Sequence, residues 1–422
     1  MSATLLAGLI FLATYAAVVA FKHYKSQILW LGIAFGLAVG LIRTQNLVFD
    51  VNWNVMGIFA GTLILSEYFV LSRVPDSIST WLIRRTHTVG MAYLIVCVFA
   101  SILSIFIENV ATVLIVAPIM IGLSKKVGVS PVPGMIGIAI ASNLQGTATL
   151  IGDPPSMILA SYMQMNFNDF FFYQGKPGIF FAVQLGAIGS MLFLYFVYRR
   201  YKSPLDFEGT VQVRSFVPTI YLVLMVLCLS LSVLVDPDFK WFGGTACAVL
   251  AILCVASSRF AKDKEHQWVL RHYDTETTTF LAGIFIVVGM LEHQGVIDAI
   301  AGFLAANIGD NPLVAFSIVV WASVALSAFI DNVPYLTAMI PVVQLLSNSL
   351  GMPVELLVFG LLIGASLGGN ITPIGAAANI VAVGTLKKHD VQVSFGDFVR
   401  IGLPFTIVAT LLGSIFIYAV WG

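Results

Sequence analysis

Long apolar runs separated by short polar breaks cover nearly the whole chain. A membrane-spanning helix needs about 20 apolar residues. Eight runs approach or meet this length as single crossings: 3–21, 27–43, 54–72, 179–198, 216–235, 241–257, 277–291 and 401–421. Two longer runs, 89–123 and 312–346, contain an acid and an Asn near their middle, and the stretches 131–166 and 354–385 are broken by Gly, Thr and Pro. The pattern predicts an all-α polytopic membrane protein.

The breaks in the apolar pattern occur twice. Ile-Glu-Asn-Val at 107–110 recurs as Ile-Asp-Asn-Val at 330–333, so that the second acid follows the first by 223 positions. Gly-Thr-Ala-Thr-Leu-Ile-Gly at 146–152 recurs as Gly-Asn-Ile-Thr-Pro-Ile-Gly at 369–375 with the same spacing. The chain is therefore predicted to contain two structural repeats.

Lys and Arg positions predict which ends face the cytoplasm, because short cytoplasmic loops carry the excess of positive charge. Basic pairs at 84–85 and 125–126 flank both ends of run 89–123. A single span cannot have two cytoplasmic ends, so this run is predicted to be a re-entrant hairpin. No Lys or Arg occurs from 291 through 353, so run 312–346 is predicted to be a hairpin that enters from outside.

This scheme predicts five crossings and one hairpin in each half, with broken helices at 131–166 and 354–385. Five is odd, so the second repeat must start on the opposite side, and inverted repeats are typical of alternating-access carriers. The first repeat is placed at 1–202, a cytoplasmic linker at 203–215 and the second repeat at 216–422. Further charges support the scheme: Lys22, Lys262 and Lys264 on the cytoplasmic side, Asp310 outside, and Asp206 and Glu208 in the linker.

Composition narrows the class of protein. Hydrophobic residues make up 59% of the 422 residues and charged residues 10%, and the mean hydropathy is +0.96, whereas soluble domains carry about 25% charged residues. We expect an integral protein of the cell (inner) membrane with both termini outside. The net charge is zero, so no nucleic-acid partner is expected. Four scattered cysteines indicate neither a disulfide nor a metal site.

The repeated breaks predict a shared cavity near the membrane midplane, because irregular backbone in a bilayer is tolerated only against protein or water. Asp153-Pro154 and Thr372-Pro373 are both predicted to start half-helices. The half-helices would direct positive dipole ends into the cavity, and freed carbonyls at the opposite ends suit a hard cation such as sodium.

The intramembrane acids are the sharpest candidates for function. A carboxylate at mid-bilayer costs at least a few kcal/mol unless it binds a cation or a proton. The alternative for Glu108 and Asp331 is a purely structural helix cap, but their duplication beside Asn favours function. Asp153 has no acidic counterpart, since Ala376 occupies the matching position. For Asp153, capping and function are about equally supported.

The predicted ion- and substrate-binding residues come from the four broken segments. They are Glu108, Asn109, Thr112, Ser142, Asn143, Gly146, Thr147, Thr149, Asp153, Asp331, Asn332, Gly369, Asn370, Thr372 and Asn379. Within this set, the predicted sodium ligands are Asn109, Thr147, Asn332 and Asn370. Sodium or protons are expected as coupling ions, with no other cofactor and no enzymatic activity.

Four segments together resemble the ion transporter superfamily: Glu-Asn-Val-Ala-Thr at 108–112, Gln-Gly-Thr-Ala-Thr-Leu-Ile-Gly-Asp-Pro-Pro at 145–155, Asp-Asn-Val-Pro at 331–334 and Gly-Gly-Asn-Ile-Thr-Pro-Ile-Gly at 368–375. The likeness covers essentially the whole chain. It is strongest to the branch of the arsenite-efflux subunit, the P protein and NhaD-type antiporters, and extends to the divalent anion:sodium symporters. It implies a homodimer with a scaffold part and a mobile part that carries the site.

Members of the dicarboxylate branch carry Ser-Asn-Thr at the hairpin tips, where this chain has Glu108-Asn109-Val110 and Asp331-Asn332-Val333. An acid in place of the Ser should repel an anionic substrate unless the acid is neutralised. We therefore expect a secondary transporter of a small inorganic ion, such as arsenite efflux or sodium/proton exchange. The alternatives are a sodium-coupled di- or tricarboxylate symporter and, in another class, an ion channel. A separate ATPase subunit is expected only for an arsenite-type pump.

Overall fold

The computed structural model describes residues 2–21, 24–205, 209–260, 265–309 and 311–422. Lys22, Asp206, Glu208, Lys262, Lys264 and Asp310, which entered the charge scheme, lie outside these ranges. The described residues form twenty α-helices and one short β-hairpin. The helices of the first half are α1 (Ala3–Ala20), α2 (Lys25–Ala38), α3 (Asn46–Phe49), α4 (Trp53–Leu71), α5 (Val74–Ile83), α6 (Val89–Ser104), α7 (Asn109–Val127), α8 (Val132–Gly146), α9 (Pro154–Met163) and α10 (Ile179–Tyr198).

The second half is built from a similar series. Its helices are α11 (Val217–Leu231), α12 (Phe242–Phe260), α13 (Glu265–His272), α14 (Thr275–His293), α15 (Val296–Ile308), α16 (Pro312–Ser327), α17 (Asn332–Leu350), α18 (Val354–Gly368), α19 (Ala377–Lys388) and α20 (Phe395–Trp421). The hairpin pairs β1 (Phe172–Tyr173) antiparallel with β2 (Lys176–Pro177), with Tyr173 opposite Lys176. Short 3₁₀ turns lie at Phe167–Phe170, Ser232–Leu234 and Gly369–Ile371.

The predicted class, an all-α polytopic membrane protein, is confirmed. Ten of the described helices are long and apolar enough to cross a membrane. One span was predicted too long: the run 27–43 corresponds to α2, which stops at Ala38, and Gly40 then adopts a left-handed φ of 75°. At 14 residues, α2 is too short to be among the ten, whereas α7 and α17 are.

Helices α6 and α7 form a hairpin. The hydroxyl of Tyr93, near the start of α6, lies 2.9 Å from Ser124 Oγ, near the end of α7. The two helices therefore run antiparallel, and the chain reverses between Ser104 and Asn109. Both helices pack on α8, just as α16 and α17 both pack on α18. Whether the hairpins re-enter a membrane, and from which face, stays a prediction.

Helices α4–α9 start 222 or 223 residues before their counterparts α14–α19. Helix α4 starts at Trp53 and α14 at Thr275, while α7 starts at Asn109 and α17 at Asn332. Packing recurs with them, since α5 lies on α7 as α15 lies on α17, and α4 packs on α12 as α14 packs on α2. The inversion of the repeats and their limits at 202 and 216 stay predictions.

The helices pack as two groups, each drawn from both halves of the sequence. We call α1, α2, α4, α11, α12 and α14 the frame, because each packs chiefly on other members of this set. We call α6–α10 and α16–α20 the carrier, which contains both hairpins and both broken helices. Direct contacts between frame and carrier are made mainly by α4 with α7 and α9, and by α14 with α17.

Two short amphipathic helices, α5 and α15, connect the frame to the carrier. Each follows a frame helix, α4 or α14, and packs on a carrier helix, α7 or α17. We call α5 and α15 the arms. The residue before each arm has a left-handed backbone, with φ of 57° at Arg73 and 69° at Gly295, two positions 222 residues apart. The chain therefore changes direction sharply at matching points of the two halves.

Candidate functional site

The acids at the hairpin tips cap the helices that follow them. Glu108 Oε2 accepts a hydrogen bond from the Ala111 amide at 3.0 Å, and Asp331 Oδ1 accepts one from the Val333 amide at 3.1 Å. The structural role considered for these acids is therefore present. Each carboxylate lies at the positive end of its helix, α7 or α17, which stabilises negative charge. Glu108 is buried and Asp331 is half-buried.

Threonines of the second break tie the broken helices to the hairpin tips. Thr149 Oγ1 donates to the carbonyl of Ile105, and Thr372 Oγ1 donates to the carbonyl of Ala328. Both acceptors lie where a hairpin reverses, so their carbonyls would otherwise lack a helical partner. The two bonds are equivalent under the repeat and hold each tip against its broken helix.

The glycines of the breaks allow two stretches of backbone to touch. A Cβ on Gly152 would lie 2.6 Å from the Gly146 oxygen, and a Cβ on Gly375 would lie 2.6 Å from the Gly369 oxygen. None of these four appears among the positive-φ glycines of the described residues. They are needed for close approach, whereas the sequence suggested irregular backbone conformation as their purpose.

A chain of amides joins the two halves at the centre of the carrier. Asn109 Nδ2 donates to Asn143 Oδ1 at 3.0 Å, and Asn143 Nδ2 donates to the Ser366 carbonyl at 2.8 Å and to Asn370 Oδ1 at 3.0 Å. Asn143 is fully buried. With both amide protons used, Asn143 orients its neighbours, while Asn109 and Asn370 keep further polar capacity.

The Asn379 side chain fixes the backbone of the second break, residues 369–375, by bonding two of its carbonyls. Its Nδ2 donates to the carbonyls of Gly369 and Thr372 at 2.9 and 2.8 Å. The start signal assigned to Thr372-Pro373 was wrong, because α19 begins at Ala377 with Ala376 at the N-cap. The carbonyl bonds to Asn379 and the 3₁₀ turn at Gly369–Ile371 keep this segment from joining the helix.

Asp153 differs from the tip acids. It occupies the N-cap position of α9 and Pro154 follows it, as predicted, yet its side chain makes no capping bond. Its Oδ2 is buried and has no hydrogen-bond partner among the described residues. The charges of Glu108 and Asp331 both act on the Asp153 carboxyl. Asn109 also bonds the Asp153 carboxyl. A buried acid that lacks a helix-capping bond and is within electrostatic reach of two other acids is still costly unless a cation or proton joins it.

Further buried polar atoms lie unpaired around these segments. In the described part of the chain they include Ser104 Oγ, Thr112 Oγ1, Ser366 Oγ, Asn370 Nδ2 and Asn379 Oδ1. A buried polar atom left unpaired costs about 1–3 kcal/mol, so their concentration at the broken segments indicates a binding region. Ser104 and Ser366 were not predicted, although Ser366 lies 223 positions after Asn143 and the repeat alone could have identified it.

The other predicted residues vary in how they relate to this centre. Ser142 and Thr147 donate to carbonyls of their own helix, those of Ala139 and Asn143. Asn332 is buried at the first position of α17, next to Asp331. The four broken segments contain no Lys or Arg. The centre is therefore acidic, amide-rich and without a basic residue from its own segments.

Proteins of similar sequence and structure are membrane proteins and transporters. A "46 kDa membrane protein" of Mycobacterium leprae is 27% identical over 428 residues, covering 97% of both chains. The P protein of Homo sapiens is 24% identical over 454 residues, covering 87% of this chain and 53% of the P protein. The YdaH transporter of Alcanivorax borkumensis has a similar fold, with a TM-score of 0.61, 13% identity and coverage of 99% and 98%.

The apolar helices and these relatives define an integral membrane protein. A family model described as CitMHS, citrate transporter, matches residues 8–364. The chain therefore belongs to the CitMHS citrate transporter family, within the ion transporter superfamily that its motifs resemble.

Proposed function

We propose that this protein is a secondary active transporter that moves a small inorganic ion, in arsenite efflux or sodium/proton exchange, coupled to protons or sodium. The observation that carries the proposal is the group of Glu108, Asp153 and Asp331 with no Lys or Arg in the surrounding broken segments. Such a group favours a cation or proton and opposes a free anion.

The coupling role is assigned to the three acids and the neighbouring amides. Asp153 has an unpaired oxygen among the described residues and is our choice for the group that gains and loses the coupling cation. Glu108 and Asp331 add negative charge from the two tips. Asn109, Thr147, Asn332 and Asn370 are proposed sodium ligands, since amide, hydroxyl and backbone oxygens suit a hard cation.

The division into frame and carrier supports elevator-like alternating access. The site residues belong to the carrier, while the frame helices pack tightly on one another: a Cβ on Gly57 of α4 would lie 2.8 Å from backbone atoms of Gly244 in α12. The few direct contacts between the groups, and the arms α5 and α15, suit a carrier that moves relative to a fixed frame.

Transport of citrate or another di- or tricarboxylate is the second candidate, favoured by the family description. Three acids oppose a free polyanion, so this function requires them to be neutralised by cations or protons first. Helix N-termini at the breaks would then bind substrate carboxylates.

A channel remains the alternative class. We also propose a homodimer in the cell membrane with both termini outside, and an ATPase partner only for arsenite-type pumping.

The test is reconstitution of the full chain in liposomes. A sodium or pH gradient is imposed, and uptake of arsenite, sodium, citrate and succinate is measured in turn. We expect saturable flux of an inorganic ion that depends on the gradient. Saturable citrate flux without inorganic ion flux would establish the second candidate instead. Non-saturating flux that is independent of both gradients would contradict secondary active transport and indicate a channel.

Variants of the tip acids test coupling separately. Glu108→Gln and Asp331→Asn remove a charge but keep a capping oxygen, so both should fold. We expect transport to fall at least about tenfold, or its dependence on the gradient to disappear, since a lost charge interaction of roughly 1.4 kcal/mol is tenfold. Unchanged transport with unchanged pH and sodium dependence in both variants would remove the role assigned to them.

A further inference from the structure

Three segments meet at the base of the first hairpin. Leu205 N donates to the His87 carbonyl at 3.1 Å, and Gly90 N donates to the Tyr201 carbonyl at 2.9 Å, which joins 198–205 to 84–90. Tyr93 bonds Ser124 and also donates to the Ser130 carbonyl at 2.9 Å, which brings in 124–130. The end of α5, the end of α7 and the chain after α10 therefore form one continuous surface.

This surface is strongly basic. Its Lys and Arg residues are Arg84, Arg85, Lys125, Lys126, Arg199, Arg200 and Lys202, and all seven are exposed. The three segments contain no Asp or Glu, although Asp206 and Glu208 follow in the sequence outside the described residues. We call these seven residues the basic collar. The second hairpin has no equivalent, because 291–353 lacks Lys and Arg altogether.

Exposed apolar and aromatic side chains border the basic collar. The Arg85 guanidinium lies 3.8 Å from the ring centre of Trp81, which is 51% exposed, and Arg199 lies 4.9 Å from the ring centre of Phe196. Ile78, one turn before Trp81 on the amphipathic α5, is also exposed. An aromatic ring beside Arg is typical of the boundary between hydrocarbon and headgroups, and here one such pair lies at the end of the amphipathic α5 and the other at the end of the apolar α10.

We propose that the basic collar binds the headgroups of anionic phospholipids and thereby docks the base of the first hairpin on the membrane surface. Charge complementarity selects the headgroup, and the neighbouring Trp81, Ile78 and Phe196 select a lipid with acyl chains over a soluble anion. Only the first hairpin has this surface, so the anionic lipid content of the membrane should affect the docking of the first hairpin and not that of the second. The proposal does not depend on which ion the protein transports.

The first experiment measures lipid retention by the wild-type protein. The full chain is reconstituted in phosphatidylcholine mixed with phosphatidylglycerol, extracted gently, and its bound lipids are counted by native mass spectrometry. We expect phosphatidylglycerol to be retained in preference to phosphatidylcholine. Equal retention would overturn the proposal, and so would displacement of phosphatidylglycerol by millimolar inorganic phosphate, which would indicate a soluble-anion site.

The second experiment compares two pairs of charge removals. Arg84→Gln with Arg85→Gln should weaken phosphatidylglycerol retention roughly tenfold, because each basic side chain near the surface contributes to anionic lipid binding. The matched control is Lys387→Gln with Lys388→Gln at the end of α19, also exposed and paired, which should leave retention unchanged. Equal losses of phosphatidylglycerol retention in the two double variants would show that any exposed basic pair has this effect, and would contradict specific binding at the basic collar.

A third measurement locates the lipid. Phosphatidylglycerol brominated on its acyl chains should quench the fluorescence of Trp81, assigned as the signal lost in Trp81→Phe. Brominated phosphatidylcholine at the same density should quench it less. Equal quenching by the two lipids would place Trp81 in ordinary lipid contact and exclude headgroup selection at the basic collar.

Discussion

Asp153 and Glu108 are two buried acids at helix N-termini with different bonding. Glu108 bonds the Ala111 amide, whereas Asp153 makes no capping bond and its repeat counterpart is Ala376. Capping acids contribute about 0.5–2 kcal/mol to stability. Asp153 makes no capping bond and so adds no such stability. Its replacement therefore distinguishes a binding role from a structural role better than replacement of Glu108 does.

We expect Asp153→Ala to abolish cation-coupled transport while changing thermal stability by less than Glu108→Ala does. Removing the Glu108 cap should cost about 1 kcal/mol, whereas Asp153→Ala also removes the repulsion among three acids. Thermal unfolding in detergent and gradient-driven uptake in liposomes measure the two effects. A destabilisation as large as that of Glu108→Ala would make Asp153 structural, and intact coupling would remove it from the ion site.

The threonines at the breaks provide a second prediction. Thr149→Val and Thr372→Val each remove the hydroxyl that bonds a carbonyl at a hairpin reversal, so each should lower the free energy of unfolding by about 1–3 kcal/mol. The control is Thr147→Val, whose hydroxyl donates at 3.4 Å to a carbonyl of its own helix and should cost less. Equal losses of unfolding free energy in Thr147→Val and Thr149→Val would show that the bond from Thr149 to the hairpin carbonyl adds no more stability than a bond within a helix.

Among the elements, the close packing of the first break on itself and on the end of α6 depends on glycine. A Cβ at Gly152 would lie 2.5 Å from the Ser104 carbonyl oxygen, which is backbone and cannot rotate away. Gly152→Ala should therefore destabilise the protein by about 1–3 kcal/mol or more. Gly122→Ala in α7 is the control, since no described atom outside its own helix lies within 4 Å. Thermal unfolding should show Gly122→Ala to be neutral or stabilising by about 0.5–1 kcal/mol.

The arms depend on backbone conformation just before α5 and α15. Gly295 has φ of 69°, so Gly295→Ala should cost about 1 kcal/mol, while Arg73→Gly relieves a non-Gly residue at φ of 57° and should be neutral or stabilising. Unfolding measured for both variants tests this opposite sign. Equal changes in the free energy of unfolding for Gly295→Ala and Arg73→Gly would show that the left-handed backbone does not determine the stability at these positions.

Across the whole molecule, the proposed movement predicts which cross-links block transport. Asn52 Nδ2 lies 2.6 Å from Ser161 Oγ, between α4 of the frame and α9 of the carrier. Ser26 Oγ lies 2.8 Å from Thr279 Oγ1, between α2 and α14 within the frame. In a background lacking the four native cysteines, cross-linking Asn52→Cys to Ser161→Cys should stop transport. Cross-linking Ser26→Cys to Thr279→Cys should leave it intact; the reverse result would contradict elevator-like movement.

Much of the fold could be predicted from the sequence because a bilayer allows few solutions. Every spanning backbone must satisfy its own hydrogen bonds, so apolar length translates directly into helices. The breaks were also predictable: the first falls after Gly146, and α9 begins at Pro154. Local errors arose at helix ends. Helix α2 stops at Ala38, shortly before the left-handed Gly40, and α19 starts only at Ala377, because the 3₁₀ turn and the bonds that Asn379 makes to two carbonyls hold the segment before it.

By itself, the sequence determined the helical membrane class, the duplicated breaks and the residue types of the site, because these follow from hydropathy and spacing along the chain. Only the tertiary structure decided that Glu108 and Asp331 cap their helices while Asp153 does not, and that helices of both halves mix into the frame and the carrier. Hydrogen-bond partners and close glycine contacts join residues far apart in sequence, and no local pattern specifies which of them will meet.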